Sequence, residues 1–356
     1  MSATPPPRQR RKASFAARLV AWQKIHGRHD LPWQRTRDPY RIWLSEVMLQ
    51  QTQVQTVIPY YERFVAAFPD VRALAAAPVE RVLEHWSGLG YYRRAHHLHA
   101  AACAVVAQYA GEFPVDARAL ATLPGVGRST AAAIAVFASG SRAAILEGNV
   151  KRVLARHRGI DGFPGAADVQ AQLWQIAERA LPARDIETYT QALMDLGATV
   201  CTRARPSCTA CPVAHDCIAF NERRTDELPS PRPKKVLPQR ALRVLLIERG
   251  GEILFERRPP LGIWGGLWSL PELPLDADVR AAVKTRYAAD VVLRDALPAV
   301  AHGFTHFALT LHPQRVSARR WPSRAEAPGT IWLTPKDARG AALPAPIKKL
   351  MRMLET

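Results

Sequence analysis

The sequence predicts a mainly helical domain followed by a smaller α+β domain. From Phe15 to about Phe220, apolar residues recur at helical spacing, alanine and leucine are abundant, and glycine and proline fall at breaks. Residues 221–240 are rich in proline and basic side chains, which is typical of an interdomain linker. After them, Leu242–Ile247 and Ile253–Arg257 are short β-type runs on either side of a Gly-Gly turn, a pattern that predicts a hairpin.

The same patterns divide the chain into four parts. Residues 1–13 form a basic stretch without an apolar core, which we interpret as a disordered tail and not as a secretory signal. We assign residues 14–220 to the helical domain, 221–240 to the linker and 241–356 to the α+β domain. No apolar run reaches membrane-spanning length, so we expect no membrane partner.

The charge balance predicts a polyanionic partner. The 356 residues include 49 Lys+Arg against 31 Asp+Glu, which gives a formal net charge of +18. A basic surface attracts phosphate groups and releases counterions when it binds them. A general arginine-rich bias in composition is the alternative, and charge alone does not exclude it.

The stretch Asp38–Thr52 predicts a helix that carries an acid in its apolar face. Asp38 is a good N-cap, and Pro39 suits the first helical position. The apolar face consists of Ile42, Trp43, Val47 and Leu49. Glu46 lies among them, where ionisation is costly, so its pKa should be raised. A rim glutamate that reaches water is the alternative, but the uncharged run Gln50–Thr52 favours a site that reads a base.

Glu147 is the second candidate acid, and it precedes the basic helix Lys151–His157. The partial positive charge of a helix N-terminus favours an ionised carboxylate, although a plain helix-capping acid is the commoner case. A protonated Glu46 beside a charged Glu147 would be the arrangement that breaks a glycosidic bond through an oxocarbenium-like transition state.

The turn Leu123–Gly127 lies between two predicted helices, 116–122 and 128–139. Its two glycines let the backbone approach another surface, and the second helix points its first N–H groups outward. Such a hairpin can hold a phosphate without reading sequence, whereas an ordinary helix–helix turn is the alternative. Arg128, beside the turn, favours phosphate.

Four of the five cysteines are clustered, which indicates a metal centre in a reducing compartment. Cys201, Cys208, Cys211 and Cys217 are separated by six, two and five residues. Four thiolates can hold a zinc ion or a [4Fe–4S] cluster, and the spacing alone leaves both open. Cys103, within a predicted helix, is interpreted as a small core residue.

Several segments together resemble the MutY family of adenine DNA glycosylases. They are residues 31–34, 43–64, 88–95, 123–131, 148–156, 191–202, the cysteine loop and 261–272. The cysteine spacing and the Leu123–Gly127 turn are shared with the wider helix-hairpin-helix superfamily, including endonuclease III. The SEVMLQQTQV stretch and the C-terminal extension are specific to the MutY branch.

The resemblance implies a two-lobed helix-hairpin-helix glycosylase domain with an iron–sulfur loop at 201–217, plus a C-terminal α+β Nudix-like domain. The four clustered cysteines would hold a [4Fe–4S] cluster. The enzyme would act in base-excision repair as a monofunctional glycosylase. It would hydrolyse the N-glycosidic bond of adenine mispaired with 8-oxoguanine or guanine in double-stranded DNA. We expect a monomer in the cytoplasm, associated with the nucleoid.

The resemblance also assigns roles to individual residues. Glu46 would protonate adenine at N7, Glu147 would stabilise the charged sugar, and Ser129 and Asn149 would lie near that sugar. The residues expected to contact DNA or its bases are Gln51, Thr52, Tyr91, Gly125, Val126, Gly127, Arg128, Phe304, Thr305 and His306. Among these, Tyr91 would wedge into the base stack, and the last three would contact 8-oxoguanine.

One residue departs from the family pattern, and two further features distinguish the chain from related enzymes. The family has aspartate where this chain has Glu147, which predicts a reduced excision rate and leaves a catalytically impaired lesion-binding protein as the alternative function. Endonuclease III-like enzymes carry lysine where this chain has Ser129, which predicts no Schiff-base chemistry. The metal-binding carboxylates of Nudix hydrolases are missing after residue 273, which predicts recognition without pyrophosphatase activity. A zinc-stabilised structural module is a further alternative for the cysteine loop.

Overall fold

The structure, a computed structural model, describes residues 13–233, 236–259, 262–322 and 329–354. The predicted disordered tail lies outside the described residues, apart from its last position. The helices of the described residues are α1 (Phe15–His26), α2 (Pro39–Leu49), α3 (Val54–Ala67), α4 (Val71–Ala76), α5 (Val79–Trp86), α6 (Arg93–Gln108), α7 (Ala117–Leu120), α8 (Arg128–Ser139), α9 (Gly148–Arg158), α10 (Ala167–Arg179), α11 (Ile186–Thr199), α12 (Ile218–Asn221), α13 (Val279–Tyr287), α14 (Pro335–Gly340) and α15 (Ala345–Met353). The strands are β1 (Gln239–Arg249), β2 (Glu252–Arg257), β3 (Trp268–Ser269), β4 (Glu272–Leu273), β5 (Asp290–Ala296), β6 (Val300–Gly303), β7 (Ala308–Arg320) and β8 (Thr330–Leu333).

The described chain divides into two compact units. One contains residues 13–65, 70–72 and 101–233, and the other contains 66–69, 73–100 and the described residues from 236 onwards. The second unit therefore includes a segment from early in the chain, which a division along the sequence does not anticipate. The predicted boundaries at 221–240 stay a prediction.

The first unit is helical, and α11 is central to its packing. This helix packs against α1, α8 and α9, while α2 packs against α8. Its buried side chains Tyr189, Leu193 and Leu196 join a core with residues of α1, α9 and α10. Burying one such side chain stabilises the fold by about 1.5–3 kcal/mol relative to exposure. Because α11 is packed on several sides, its side chains have little freedom to move, and polar groups on it keep fixed positions within the unit.

Helix α2 begins as the sequence predicts but ends earlier. Asp38 caps it by accepting the backbone N–H of Tyr40 at 3.0 Å, and Pro39 is its first residue. The helix stops at Leu49 instead of continuing to Thr52, because Gln51 adopts a left-handed backbone with φ of 57°. The chain turns sharply there and enters α3.

The second unit contains a mixed sheet whose main path is β3-β2-β1-β7-β5. The predicted hairpin is confirmed, since β1 and β2 pair antiparallel with Glu248 opposite Ile253. β1 also pairs in parallel with β7. Val244 and Leu246 of β1 pack into one core, whereas Leu245 and Ile247 pack into another on the opposite face. This alternation follows from the two-residue period of a strand and explains the continuous apolar run in the sequence.

Cys103 is exposed on α6, so its interpretation as a core residue is wrong. A cysteine is small enough to be tolerated on either face of a helix, and its position on the helical wheel decides its exposure.

Among the described residues, no helix has both the length and the apolar character needed to cross a membrane.

Candidate active site

Glu46 lines a cavity of about 310 Å³ in the first unit. Trp33, Ile42 and Leu49 give this cavity apolar walls, and Gln34 and Gln191 add amide groups. Burial, followed by the charge of Glu147, raises the pKa of Glu46 to about 8. The predicted pKa shift is therefore present, and the volume is that of a small-molecule site. The carboxyl can be protonated at neutral pH and can donate a proton into the cavity.

Glu147 occupies the N-cap position of α9. Its two carboxyl oxygens accept the backbone N–H groups of Asn149 at 2.8 Å and Val150 at 3.0 Å. Burial raises the pKa of Glu147, while these two hydrogen bonds, and then Arg152 and Lys151, lower it; the net direction is upward. The backbone hydrogen bonds at the start of the helix favour the ionised form, as the sequence predicts, but burial opposes them more strongly. The sequence shows the helix start but not the depth at which the acid is buried.

Glu46 and Glu147 belong to one compact unit, and the charge of Glu147 contributes to the raised pKa of Glu46. Two like charges that interact in this way favour a state in which only one is ionised. Ionisation of Glu147 therefore favours the protonated form of Glu46. That the two acids flank one nucleoside stays a prediction.

Ser129 and Asn149 are both tied to the segment that carries Glu147. The Oγ atom of Ser129 accepts the backbone N–H of Leu146 at 2.9 Å. The Oδ1 atom of Asn149 accepts from Nη2 of Arg152 at 2.7 Å. Their hydrogen bonds hold this turn in place, and their predicted position near a sugar stays a prediction.

Gly197 of α11 allows a close approach to the start of α9. A Cβ atom built on Gly197 would lie 2.5 Å from Cβ of Asn149 and 3.1 Å from its backbone oxygen. The carbonyl of Gly197 also accepts from Nη2 of Arg152 at 2.7 Å. Only a residue without a side chain fits here, because backbone atoms of α9 cannot move aside cheaply.

Gln51 and Tyr91 share an unusual backbone conformation. Gln51 in the first unit has a φ of 57°, and Tyr91 in the second has a φ of 49°. Both side chains are exposed, that of Tyr91 by 50%. Left-handed backbone is costly for a large residue and is found preferentially at functional sites. Thr52, which follows Gln51, is half-buried.

The glycine turn ends at the start of α8, where the sequence predicts a helix to begin. Gly125 has a φ of 75°, and Gly127 is the N-cap of α8 without a side-chain hydrogen bond. Val126 is buried, and its backbone N–H donates to the carbonyl of Leu123 at 3.1 Å. Arg128 is engaged within the protein, because its guanidinium forms an ion pair with Glu178 and lies 3.9 Å from the ring centre of Trp174. Its prediction as a phosphate ligand remains untested.

The four clustered cysteines line one small cavity of about 20 Å³. Its remaining walls are mainly apolar, with Val153, Leu196 and Val213 among them. Backbone N–H groups bond the thiols of Cys211 and Cys217 and lower their pKa values, although burial raises them by more. In the described part of the chain, no three His, Cys, Asp or Glu side chains are grouped closely enough for one metal ion. Cysteines are the residues that hold iron–sulfur clusters, and these four line one cavity with mainly apolar walls.

Two arginines of α9 point inward to the cysteine loop. Arg152 donates from Nε to the carbonyl of Cys201 at 2.7 Å. Arg156, which is only 3% exposed, donates from Nη1 to the carbonyl of Thr202 at 2.6 Å and from Nε to Leu228 at 2.7 Å. The sequence shows only a basic helix, so these structural roles were missed.

In the second unit, Phe304–Thr305–His306 follows directly after β6. Thr305 and His306 are exposed, whereas Phe304 is half-buried and stacks on Phe307 with ring centres 4.4 Å apart. Trp264 packs against Phe304 at 5.4 Å. The loop therefore has an aromatic base and a polar tip.

Sequence reasoning also missed a polar wall of the cavity. Arg28 and Gln191 line it, and both bond to Asp195, which is fully buried on α11. An aspartate inside the apolar run Leu193–Leu196 was the available signal.

Comparisons with known proteins confirm the predicted fold class. Residues 44–179 match the model of the HhH-GPD superfamily base excision DNA repair protein, and residues 243–353 match the NUDIX domain. The chain is also similar to a solved thermostable thymine-DNA glycosylase, with a TM-score of 0.54 and 28% identity. The alignment covers 58% of this chain and 95% of that one.

Two curated relatives extend the similarity over nearly the whole chain. The adenine DNA glycosylase of Buchnera aphidicola subsp. Acyrthosiphon pisum is 33% identical over 96% of this chain and 97% of its own length. The adenine DNA glycosylase of Mus musculus is 34% identical over 96% of this chain and 78% of its own length. The chain therefore belongs to the adenine DNA glycosylase family and is a base-excision DNA glycosylase.

Proposed function

We propose that this glycosylase removes adenine mispaired with 8-oxoguanine, and more slowly adenine opposite guanine, in double-stranded DNA. The observation that carries this proposal is Glu46, a carboxyl with a pKa near 8 that lines a cavity large enough for one base. A proton donated to adenine makes the base a better leaving group. Extrusion of the base from the stack costs a few kcal/mol, and least for a mispaired base.

In this mechanism, Glu147 stabilises the positive charge that develops on the sugar as adenine leaves. Its two backbone hydrogen bonds fix the direction of the carboxylate. Ser129 and Asn149, which anchor the same turn, position the sugar. Gln51 and Thr52 help to hold the gap in the stack, and the left-handed backbone of Gln51 supports this role. Separately, Tyr91 wedges into the base stack, and its exposed side chain on a left-handed backbone supports that role.

Recognition of 8-oxoguanine is assigned to Phe304–Thr305–His306. The exposed hydroxyl of Thr305 and imidazole of His306 offer polar contacts to a base, supported from behind by Phe304. We expect single-turnover excision to be fastest on a duplex with adenine opposite 8-oxoguanine, slower opposite guanine, and absent opposite thymine. Replacing Thr305 and His306 by alanine should remove the preference for 8-oxoguanine while excision opposite guanine continues. Equal rates on the first two duplexes for the unmodified protein would contradict the proposed specificity.

We further propose a monofunctional reaction in which water attacks the sugar. Ser129 has no amine for a Schiff base, and its hydroxyl is already bonded to the backbone of Leu146. Reaction in the presence of borohydride should leave no stable protein–DNA adduct. A Ser129→Lys variant serves as the positive control, since its amine can form one. Efficient trapping with the unmodified protein would overturn this proposal.

The cysteine loop is proposed to hold a [4Fe–4S] cluster, which would stabilise the loop and its contacts with DNA. All four thiols line one cavity, and Arg156 keeps the chain that follows Cys201 in place through backbone carbonyls. The purified protein should be brown and contain iron and inorganic sulfide in equal amounts. Cys208→Ser should lower both, whereas Cys103→Ser, at an exposed cysteine on α6, should lower neither. Stoichiometric zinc without sulfide would show the alternative centre.

A second candidate function is a lesion-binding protein of the same fold with little excision activity and with the same mispaired DNA as its partner. Glu147 is the observation that favours it, because the family has aspartate at this position. Tight binding to the 8-oxoguanine duplex without single-turnover excision would establish this alternative. We propose that the protein acts as a monomer in either case.

A further inference from the structure

Asp195 forms a buried ion pair behind the cavity that contains Glu46. Its side chain is 1% exposed, and that of Arg28 is 25% exposed. Oδ2 of Asp195 accepts the backbone N–H of Arg28 at 2.9 Å. Oδ1 accepts from Nε of Arg28 at 2.7 Å and lies 2.6 Å from Nη2. The carboxylate therefore fixes both the backbone and the guanidinium of one residue.

The carboxylate of Asp195 also forms a hydrogen bond to a second residue of the cavity wall. Oδ1 of Asp195 also accepts from Nε2 of Gln191, one helical turn earlier, at 2.9 Å. The carbonyl of Arg28 accepts from Nε2 of Gln34 at 3.0 Å. Arg28, Gln191 and Gln34 all line the cavity with Glu46, whereas Asp195 does not. One buried acid thus sets the orientation of the polar side of this wall.

Stability alone is a weak reason for such a pair. Desolvating two charges costs several kcal/mol, and an apolar pair of similar volume is often as stable. The location of the pair matters more, because Arg28 would place an uncompensated cation on the cavity wall if Asp195 were neutral. A cation there would stabilise the ionised form of any acid that shares the cavity.

We propose that Asp195 is a positioning residue for excision: it fixes Arg28 and Gln191 on the cavity wall and cancels the charge of Arg28, so that the cavity receives an uncharged base beside a protonated Glu46. This inference rests on the proposed role of Glu46 as proton donor. It goes beyond that role by assigning a function to a residue that does not face the cavity.

Other charged groups lie near the cavity of Glu46, and they are unchanged when Asp195 or Arg28 is replaced. Glu147 caps α9, Glu187 of α11 pairs with Arg37 at 2.9 Å, and His29 contacts the carbonyl of Gln23 at 3.0 Å. Lys151 and Arg152 act on Glu147. A change confined to Asp195 or Arg28 therefore isolates the contribution of their pair.

The test is the pH dependence of single-turnover excision on the 8-oxoguanine duplex. In Asp195→Asn, no carboxylate compensates the charge of Arg28. The alkaline limb of the pH–rate profile, where the excision rate falls as Glu46 loses its proton, should therefore move to lower pH by about half a unit or more. In Arg28→Gln, the carboxylate of Asp195 becomes uncompensated, so the limb should move to higher pH. The double variant should return towards the unmodified protein. Asp185→Asn, which removes the exposed partner of Lys24 on the loop before α11, is the matched control and should not move the limb.

A carboxyl NMR titration of Glu46 in the free protein gives the same information without a reaction. The pKa of Glu46 should fall in Asp195→Asn and rise in Arg28→Gln. If both variants lose rate equally at all pH values and the titration of Glu46 does not move, the pair is only a structural tie and the inference is wrong. If the unmodified protein does not excise adenine, the proposed function fails and the role in excision fails with it, while the NMR titration still decides whether the pair of Asp195 and Arg28 sets the pKa of Glu46.

Discussion

Replacing Glu46 by glutamine should lower the single-turnover rate of adenine excision by about 100-fold to 10,000-fold. Glutamine keeps the size and hydrogen-bonding capacity of the side chain but has no proton to donate at neutral pH. Binding to the 8-oxoguanine duplex should be unchanged, because the residues proposed to contact phosphate and lesion do not include Glu46. Excision and binding measured on the same duplex separate the two effects.

A matched control comes from Glu62→Gln, which neutralises an exposed glutamate on α3. This variant should excise adenine at the rate of the unmodified protein. Retention of more than a tenth of the rate in Glu46→Gln would mean that another group protonates the base.

The pH dependence of the unmodified protein follows from the same acid. The pKa of Glu46 is raised to about 8, so the proton-donating form is present at neutral pH and is lost as the pH rises through that value. We therefore expect the excision rate to fall above about pH 8. In Glu147→Gln, this fall in excision rate should occur at lower pH, because the charge of Glu147 contributes to the raised pKa of Glu46.

Replacing Glu147 by aspartate should accelerate excision, by up to about 100-fold. The glutamate side chain is longer by one methylene, about 1.5 Å, and it turns back so that both oxygens cap α9. Aspartate is a preferred N-cap residue and can keep a cap bond with its carboxylate nearer to the backbone. The rate gain should appear in single-turnover excision at saturating protein, where binding does not contribute.

Glu147→Gln is the comparison variant, since it keeps the length and removes the charge. It should excise more slowly than the unmodified protein, while all three forms unfold at similar temperatures. If Glu147→Asp is no faster than the glutamate form, the assigned role of this carboxylate in stabilising the sugar is wrong.

Several features could be predicted because their causes are local. The start of α2 at Asp38, the bounds of α8 and the hairpin of β1 and β2 follow from capping residues, glycines and side-chain periodicity. The raised pKa of Glu46 also follows from its position within an apolar stripe. The end of α2 was placed too late, because no local signal marks the left-handed backbone of Gln51.

The arginines show why other features could not be predicted. The sequence distinguishes a basic helix from an acidic one, but not an inward side chain from an outward one. Arg156 donates hydrogen bonds to backbone carbonyls of the cysteine loop, and Arg128 forms an ion pair with Glu178. The net charge of the chain therefore overstates the number of cations that face a polyanion.

By itself, the sequence determined the two kinds of domain, the close spacing of the four cysteines and the two candidate acids, since each of these depends on residues close together in the chain. Only the tertiary structure decided how deeply Glu147 is buried, that α11 approaches α9 at Gly197, and that Arg28 meets Asp195 across 167 positions. The physical reason is that desolvation and ion pairing depend on which segments pack together. Those contacts join residues that are far apart in the chain, and no local pattern records them.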